Sequence, residues 1–165
     1  MYKFQEQLAI GEENEMKLDS FLAKWFDIDR VSQEGQRQGI DRLFTRRDNK
    51  VIYRVEYKTD FTASRTGNAF IETVSVDTQQ KPGWALHSQA DFLIYFLPLD
   101  GLIYAIRMPQ LRAQLDSWKA RYPLRSIPNK GYSTIGLLVP LRELERLAVQ
   151  VGCPGSLPVT LPPEP

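Results

Sequence analysis

The stretch of residues 39–58 constrains the fold of this chain more than any other part of the sequence. Its second half alternates two sets of side chains, Val51, Tyr53, Val55 and Tyr57 on one face and Ile52, Arg54, Glu56 and Lys58 on the other. Successive side chains of a β-strand point to opposite faces, so this half predicts a strand with one face in the core. The polar residues 46–50 before it are typical of a turn. The stretch therefore predicts a β-hairpin.

One end of this hairpin is predicted to gather charged groups. Glu56 and Lys58 are two residues apart and share a face, and antiparallel pairing brings the Asp41 end of the first strand beside them. Carboxylate oxygens suit Mg²⁺, which keeps most of its waters and takes one or two protein carboxylates. A nearby lysine can orient or help deprotonate an attacking water. The hairpin thus favours a metal site for phosphodiester hydrolysis, and a solvated, salt-bridged hairpin is the alternative.

The same residues resemble the signature of the PD-(D/E)xK nuclease superfamily, which includes restriction endonucleases and the archaeal Holliday-junction resolvases. Ile40-Asp41 stands for the first half, with Ile40 in place of the family's proline, and Glu56-Tyr57-Lys58 stands for the second. The resemblance implies that Asp41 and Glu56 bind the metal and that Lys58 is the catalytic lysine. It also implies Mg²⁺ or Mn²⁺ as the cofactor and DNA as the partner.

A first helix is predicted for residues 11–26, after a short opening strand or coil. Its apolar stripe consists of Leu18, Phe21, Leu22, Trp25 and Phe26. Extending this stripe by one turn towards the N-terminus reaches Glu15. In the resolvase branch of the resembled superfamily the first helix delivers a glutamate to the metal, which implies that role for Glu15. A solvent-exposed, fraying first turn is the alternative interpretation.

Residues 69–76 predict a further strand, which carries Glu72. Phage and mobile-element members of the superfamily have a Gly-Asn-x-Phe-Ile-Glu segment here, then Gly-Trp and Ala-Asp-aromatic. Residues 67–72, 83–84 and 90–92 resemble those three features in turn. The resemblance implies that Glu72 joins the acidic cluster or positions a second ion. A surface glutamate on an edge strand is the alternative.

The remaining elements are predicted from apolar runs and turn residues. Residues 90–97 are nearly all apolar and predict a buried central strand, which pairs with residues 102–106 after a turn. Pro109 begins a helix, residues 132–138 form another strand, and a last helix runs from Pro140 to Gly152. Residues 31–39 are interpreted as a strand end and a mobile loop. His87, the one histidine, is assigned a surface or packing role.

The order of these elements matches the αβββαβ core of the resembled superfamily. We therefore predict an α/β (α+β) fold with a restriction-endonuclease-like αβββαβ core, a mixed central sheet flanked by helices, and an inserted strand. Residues 1–151 are predicted to form a single domain. Residues 152–165 are rich in proline and predict an extended or disordered tail.

The net charge of +1 indicates nothing global about a polyanionic partner, so DNA contacts must come from local clusters. Residues 107–130 are locally basic and include Trp118 and Tyr122. The predicted DNA-binding residues are Arg37, Arg65, Arg112, Lys119 and Arg121. A merely solvated basic surface is the alternative for this patch.

The single cysteine, the absence of zinc-type Cys/His spacing and the lack of a leader or long apolar run predict a cytoplasmic protein that makes no membrane contact. The leading functional hypothesis is a Mg²⁺-dependent DNA endonuclease. Cutting two strands needs two sites, which favours a homodimer. One alternative is a non-catalytic nuclease-fold protein that binds DNA or assists a mobile element. The other is an unrelated α/β interaction domain whose surface charges form no site.

Overall fold

A computed structural model describes residues 2–152, and it describes the side chains of residues 11–149 and 152. Within that part of the chain, six helices and ten strands follow one another, with a 3-10 turn at Asp77–Gln79. They are α1 (Tyr2–Leu22), β1 (Phe26–Arg30), α2 (Gln33–Arg37), β2 (Arg42–Arg46), β3 (Ile52–Thr59), α3 (Ala63–Thr66), β4 (Asn68–Val76), β5 (Lys81–Pro82), α4 (Trp84–His87), β6 (Phe92–Leu97), β7 (Leu102–Arg107), α5 (Met108–Arg121), β8 (Leu124–Pro128), β9 (Ser133–Pro140), α6 (Leu141–Leu147) and β10 (Ala148–Gly152). None of the helices in residues 2–152 is long and apolar enough to cross a membrane.

The central sheet has six strands in the order β1-β2-β3-β6-β7-β10. β3 and β6 are parallel and every other neighbouring pair is antiparallel, so the sheet is mixed. β1, β2 and β3 are consecutive antiparallel strands, and the chain then crosses over to β6, which is parallel to β3. The predicted α/β class, with a mixed central sheet flanked by helices, is therefore confirmed.

Strand β6 divides the core into two layers, as expected for a central strand covered on both faces. All six of its residues are buried. Phe92, Ile94 and Phe96 pack with α1 on one face, and Leu93, Tyr95 and Leu97 pack with α5 on the other. The continuous apolar run in the sequence follows from this double burial.

β4, the strand predicted as an insertion into the αβββαβ core, lies in a second sheet. That sheet has four strands in the order β5-β4-β9-β8. Both edges of β3 are already occupied by β2 and β6, so no place remains beside it for β4. Ala69 and Ile71 on β4 are buried in the same cluster as α5, which attaches the second sheet to the helical side of the first.

Several predicted boundaries are wrong. The first helix begins at Tyr2 rather than at Gly11, and Phe26 belongs to β1 instead of the helix. The predicted loop at residues 31–39 contains α2, whose first turn is capped by the side chain of Ser32 accepting the Gly35 N–H at 3.4 Å.

The end of the described chain also differs from the prediction. The last helix stops at Leu147, and β10 pairs with β7 where a helix to Gly152 was predicted. This pairing covers an edge of β7 that would otherwise expose its backbone groups. Strand β8 was not predicted. The proposed tail lies almost wholly in residues 153–165, outside the described residues.

Candidate active site

Asp41 is held against β3 by its backbone and by its side chain. In the β2–β3 register Arg42 lies opposite Val55, and the Asp41 N–H donates to the Val55 carbonyl at 2.8 Å. The carboxylate oxygen Oδ2 of Asp41 accepts the Tyr57 N–H at 2.7 Å. The hairpin therefore places Asp41 beside the Glu56-Tyr57-Lys58 stretch, as the predicted pairing requires.

Glu56 is a buried carboxylate that is only half satisfied. Its side chain is 4% exposed, and Oε1 forms an ion pair with Lys58 Nζ. Oε2 has no hydrogen-bond partner among the residues that the structure describes. Burial, together with the charges of Asp41 and Glu72, raises the pKa of Glu56 to about 7 against the opposing effect of Lys58. Near neutral pH this side chain is poised between its charged and neutral forms.

Lys58 is surrounded by negative charge. Burial lowers the pKa of Lys58, but the carboxylates of Glu56, Asp41 and Glu72 outweigh burial and raise the pKa above its usual value. The lysine consequently stays protonated at neutral pH. Its Nζ also lies 6.0 Å from the centroid of the Trp84 ring. In this state Lys58 can orient a water or stabilise negative charge, whereas accepting a proton from water is disfavoured.

Glu15 reaches this region through an arginine. It lies in the middle of α1, which excludes the fraying first turn, and its Oε2 pairs with Arg42 Nη2 at 2.9 Å. Arg42 Nη1 in turn donates to the Asp41 carbonyl at 2.9 Å. Glu15 is thus one side chain removed from Asp41, and its predicted role as a metal ligand stays a prediction.

Sequence reasoning missed Asp19 and Arg42, which connect the helix to the hairpin. Arg42 is buried, and its Nε lies 3.0 Å from both carboxylate oxygens of Asp19. The Tyr57 hydroxyl donates to Asp19 Oδ1 at 3.0 Å. The available signal was that Asp19 follows Glu15 by four residues, which puts both on one helix face.

Glu72 lies on the other side of Lys58, on β4. Its Oε1 accepts the Trp84 N–H at 3.4 Å, and burial raises its pKa. β4 is flanked by β5 and β9, and Glu72 is paired with Gly136, so it does not lie on an edge strand. Its predicted part in an acidic cluster stays a prediction.

The described residues contain no group of three or more His, Cys, Asp and Glu side chains placed to hold a metal ion. The arginine contact of Glu15 and the backbone contact of Glu72 account for this, since each holds one of the two outer carboxylates. Asp41 and Glu56 remain, and Mg²⁺ takes one or two carboxylates with water in its other positions. A buried carboxylate oxygen without a donor fits such a cation, because an unpaired buried charge is costly.

A cavity of about 850 Å³ opens beside Lys58, between the end of β3 and one face of the second sheet. Among the side chains that line it are Lys58, Glu72, Trp84, Arg125 and Ile127, whereas Asp41 and Glu56 do not line it. Its volume is within the roughly 300–1,000 Å³ that is usual for ligand sites. Lys58 and Glu72 therefore border a space that a substrate group can enter.

The predicted DNA-binding residues fall into two groups. Arg37, Arg65, Lys119 and Arg121 are exposed. Arg112 is partly buried, and it donates to the backbone carbonyl of Ala85 at 3.0 Å and to that of the residue after α4. Arg112 therefore joins α5 to α4, and its predicted DNA contact stays a prediction. The ring Nε2 of His87 lies 2.5 Å from the Arg37 carbonyl oxygen, a contact that packs α4 against α2.

No protein-family model matches this chain, and no curated protein does. Among solved structures, the chain is similar to a bacterial homing endonuclease, I-Ssp6803I, with 15% sequence identity and a TM-score of 0.41. The similarity covers 83% of this chain and 74% of that one. At this level of similarity, the assignment of the site rests on the residues themselves.

Proposed function

We propose that this chain is a Mg²⁺-dependent DNA endonuclease of the PD-(D/E)xK type, in which Asp41 and Glu56 bind the ion. The observation that carries the proposal is the buried Glu56 carboxylate, whose Oε2 has no donor within the described part of the chain. Its pKa of about 7 means that a nearby cation would favour the ionised form at physiological pH. Mn²⁺ has the same preference for oxygen ligands and is an alternative ion.

Each residue of the site has a separate task. When bound, the ion supplies charge that polarises the scissile phosphate and acidifies an attacking water. Asp41 contributes the second carboxylate, oriented by the Tyr57 N–H. Lys58, kept protonated by its neighbours, orients the water and stabilises the negative charge that develops on the phosphate oxygens.

Two further carboxylates complete this proposal. Glu15 acts through Arg42, which holds the backbone of Asp41, and Glu72 adds negative charge beside Lys58. We assign Arg37, Arg65, Lys119 and Arg121 to phosphate contacts, and we leave out Arg112 because its Nε and Nη2 already donate to backbone carbonyls. A cytoplasmic homodimer would provide the two sites that cutting both strands requires.

Calorimetric titration of Mg²⁺ or Mn²⁺ tests the metal site, with cleavage of plasmid, branched and single-stranded DNA measured in parallel. Asp41→Asn keeps an oxygen for the Tyr57 N–H and removes the charge. Asp116→Asn, at an exposed carboxylate on α5, is the matched control. We expect metal binding and cleavage to be lost in Asp41→Asn alone. Equal metal affinity in the two variants would exclude Asp41 as a ligand.

Lys58→Met tests the lysine separately, because methionine retains most of the apolar stem and removes the ammonium group. We expect cleavage to fall by about 100-fold or more, as for the loss of one group that stabilises transition-state charge. Metal binding should persist, since Lys58 is not a ligand. A Lys58→Met protein that cuts DNA at the wild-type rate would remove the catalytic assignment.

The second candidate function is a nuclease-fold protein that binds DNA without cutting it, as an accessory factor of a mobile element. The observation in its favour is that the described residues include no three-carboxylate metal group, while Lys58 already pairs with Glu56. DNA affinity that does not change with added metal, together with no hydrolysis of any substrate in the panel, would establish it.

A further inference from the structure

β8 and β9 form a two-stranded ribbon, residues 124–140, at one side of the second sheet. Within residues 2–152, β8 pairs with β9 alone, and all five of its residues are exposed. Two of them are large and apolar, Leu124 at 64% exposure and Ile127 at 42%. An edge strand that exposes apolar side chains and unpaired backbone groups is typical of a surface that binds another molecule.

The charge of this region points to a polyanion. From residue 117 to residue 141 the sequence contains no aspartate or glutamate, and its basic residues are Lys119, Arg121, Arg125 and Lys130. Lys130 lies exposed at the tip of the ribbon, next to Gly131 with φ +87°. Edge-to-edge pairing of two copies would bring these like charges together, which disfavours a second copy of the chain.

The ribbon is connected to the candidate active site in two ways. Arg125 and Ile127 on β8 line the same cavity as Lys58. β9 pairs with β4 from Ile135 to Pro140, where Gly136 is opposite Glu72. A molecule that binds along the ribbon is therefore placed beside Lys58, on a rigid support.

We propose that the β8–β9 ribbon lies in the major groove of duplex DNA and aligns that duplex with the active site. The major groove, about 12 Å wide, admits a two-stranded β-ribbon. Residues 127–134 at the tip of the ribbon form such a two-stranded segment, because β9 pairs with β4 from Ile135 to Pro140. Arg125 and Lys130 would contact phosphates, and Ile127, on the same face of β8 as Arg125, offers an apolar contact of the kind that thymine methyl groups make. The proposal rests on the proposed function for the cleavage step, and it names duplex DNA as the substrate class.

The salt dependence of DNA binding tests the charged contacts without any cleavage, if divalent metal is omitted. A short mixed-sequence duplex is titrated with wild type, with Arg125→Ala/Lys130→Ala, and with a control, Lys24→Ala/Lys50→Asn. The control residues are exposed and lie at the end of the central sheet opposite Lys58. Asparagine tolerates the positive φ of residue 50.

Each lost phosphate contact lowers the slope of log K against log salt by about 0.9. We therefore expect the plot of log K against log salt to be less steep by about two units in the ribbon variant than in wild type. Over a fourfold rise in salt, the variant should then lose about tenfold less affinity than wild type loses. The control variant should retain the wild-type slope. An unchanged slope in the ribbon variant would overturn the proposal.

Two comparisons test whether the ribbon lies in the major groove: competition by groove-binding compounds, and the affinity for single-stranded against duplex DNA. Methyl green, which occupies the major groove, should displace the protein from the duplex, whereas netropsin, which occupies the minor groove, should not. The reverse pattern, or tighter binding to single-stranded than to duplex DNA, would contradict the proposal. So would a dimer in sedimentation that Leu124→Arg dissociates without weakening DNA binding, because the ribbon would then be a protein interface.

The two proposals fail in different ways. Ribbon-dependent duplex binding without metal-dependent cleavage under any condition would remove the proposed function and leave the ribbon assignment standing. Cleavage by wild type together with an unchanged salt slope in Arg125→Ala/Lys130→Ala would remove the ribbon assignment alone.

Discussion

Replacing Arg42 with alanine removes the cation that joins α1 to the β2–β3 hairpin. The arginine side chain is 4% exposed, and its carboxylate partners Glu15 and Asp19 are 36% and 26% exposed. A third contact, to the Asp41 carbonyl, is lost in the same substitution. Arg42→Ala therefore removes the cation shared by Glu15 and Asp19 and the donor to the Asp41 carbonyl, and it leaves Asp19 with the Tyr57 hydroxyl.

Breaking a buried ion pair from one side costs about 3–5 kcal/mol. The carboxylates are partly reached by water, which puts the expected cost at the lower end, about 3 kcal/mol. For a chain of this size each kcal/mol lowers Tm by about 2–4 °C, so Tm should fall by about 6–12 °C.

Thermal unfolding of Arg42→Ala beside Arg47→Ala measures this effect. Arg47 also pairs with an aspartate, Asp27, but the two side chains are 52% and 54% exposed. An exposed pair contributes at most about 1 kcal/mol, so Arg47→Ala should lower Tm by less than about 4 °C. Adding Asp19→Asn to Arg42→Ala should recover part of the loss, because one unpaired charge is removed. Equal Tm values for the two single variants would refute the reasoning.

Three further predictions concern the site and its surroundings. The pKa of Glu56 is raised from 4.5 to about 7, so the folded chain retains a proton that the unfolded chain releases. Stability without metal should therefore fall by up to about 3 kcal/mol as pH rises from about 4.5 to about 7, and urea midpoints should show no such fall in Glu56→Gln. Added Mg²⁺ should raise the Tm of wild type but not of Asp41→Asn. Because a protonated Glu56 is a poor ligand, this rise in Tm should be smaller well below pH 7, and an equal rise at both pH values would contradict Glu56 as a ligand. Gly39 and Gly67 both have positive φ, but a Cβ would lie 2.7 Å from Ser88 Cα only at Gly39; Gly39→Ala should cost more than the roughly 1–2 kcal/mol of Gly67→Ala, measured by chemical denaturation.

The hairpin and the buried strand could be predicted because their signals are local. A strand with one face in the core must alternate, and a strand covered on both faces must be apolar throughout, so β3 and β6 are visible as patterns. The same alternation placed Glu56 and Lys58 together, and the turn between β2 and β3 determined that Asp41 lies beside them. Short-range geometry was sufficient for the centre of the candidate site.

The partners of Glu15 and Glu72 could not be predicted from such patterns. Glu15 meets Arg42 because α1 packs across the hairpin, a contact between residues 27 positions apart. Glu72 faces Trp84 because β4 joined the second sheet. In both cases the helix or strand was expected, but its packing partner depended on the competition of many surfaces for burial.

The amino-acid sequence by itself determined the mixed α/β class, the hairpin and the juxtaposition of Asp41 with Glu56, since each follows from the period of side chains along a few residues. Only the tertiary structure decided that β4 lies in a second sheet, that β10 covers the edge of β7, and that β8 is left exposed beside the cavity. Strand pairing is a choice among distant partners, and its free energy depends on which edges and faces remain open after the rest of the chain has packed.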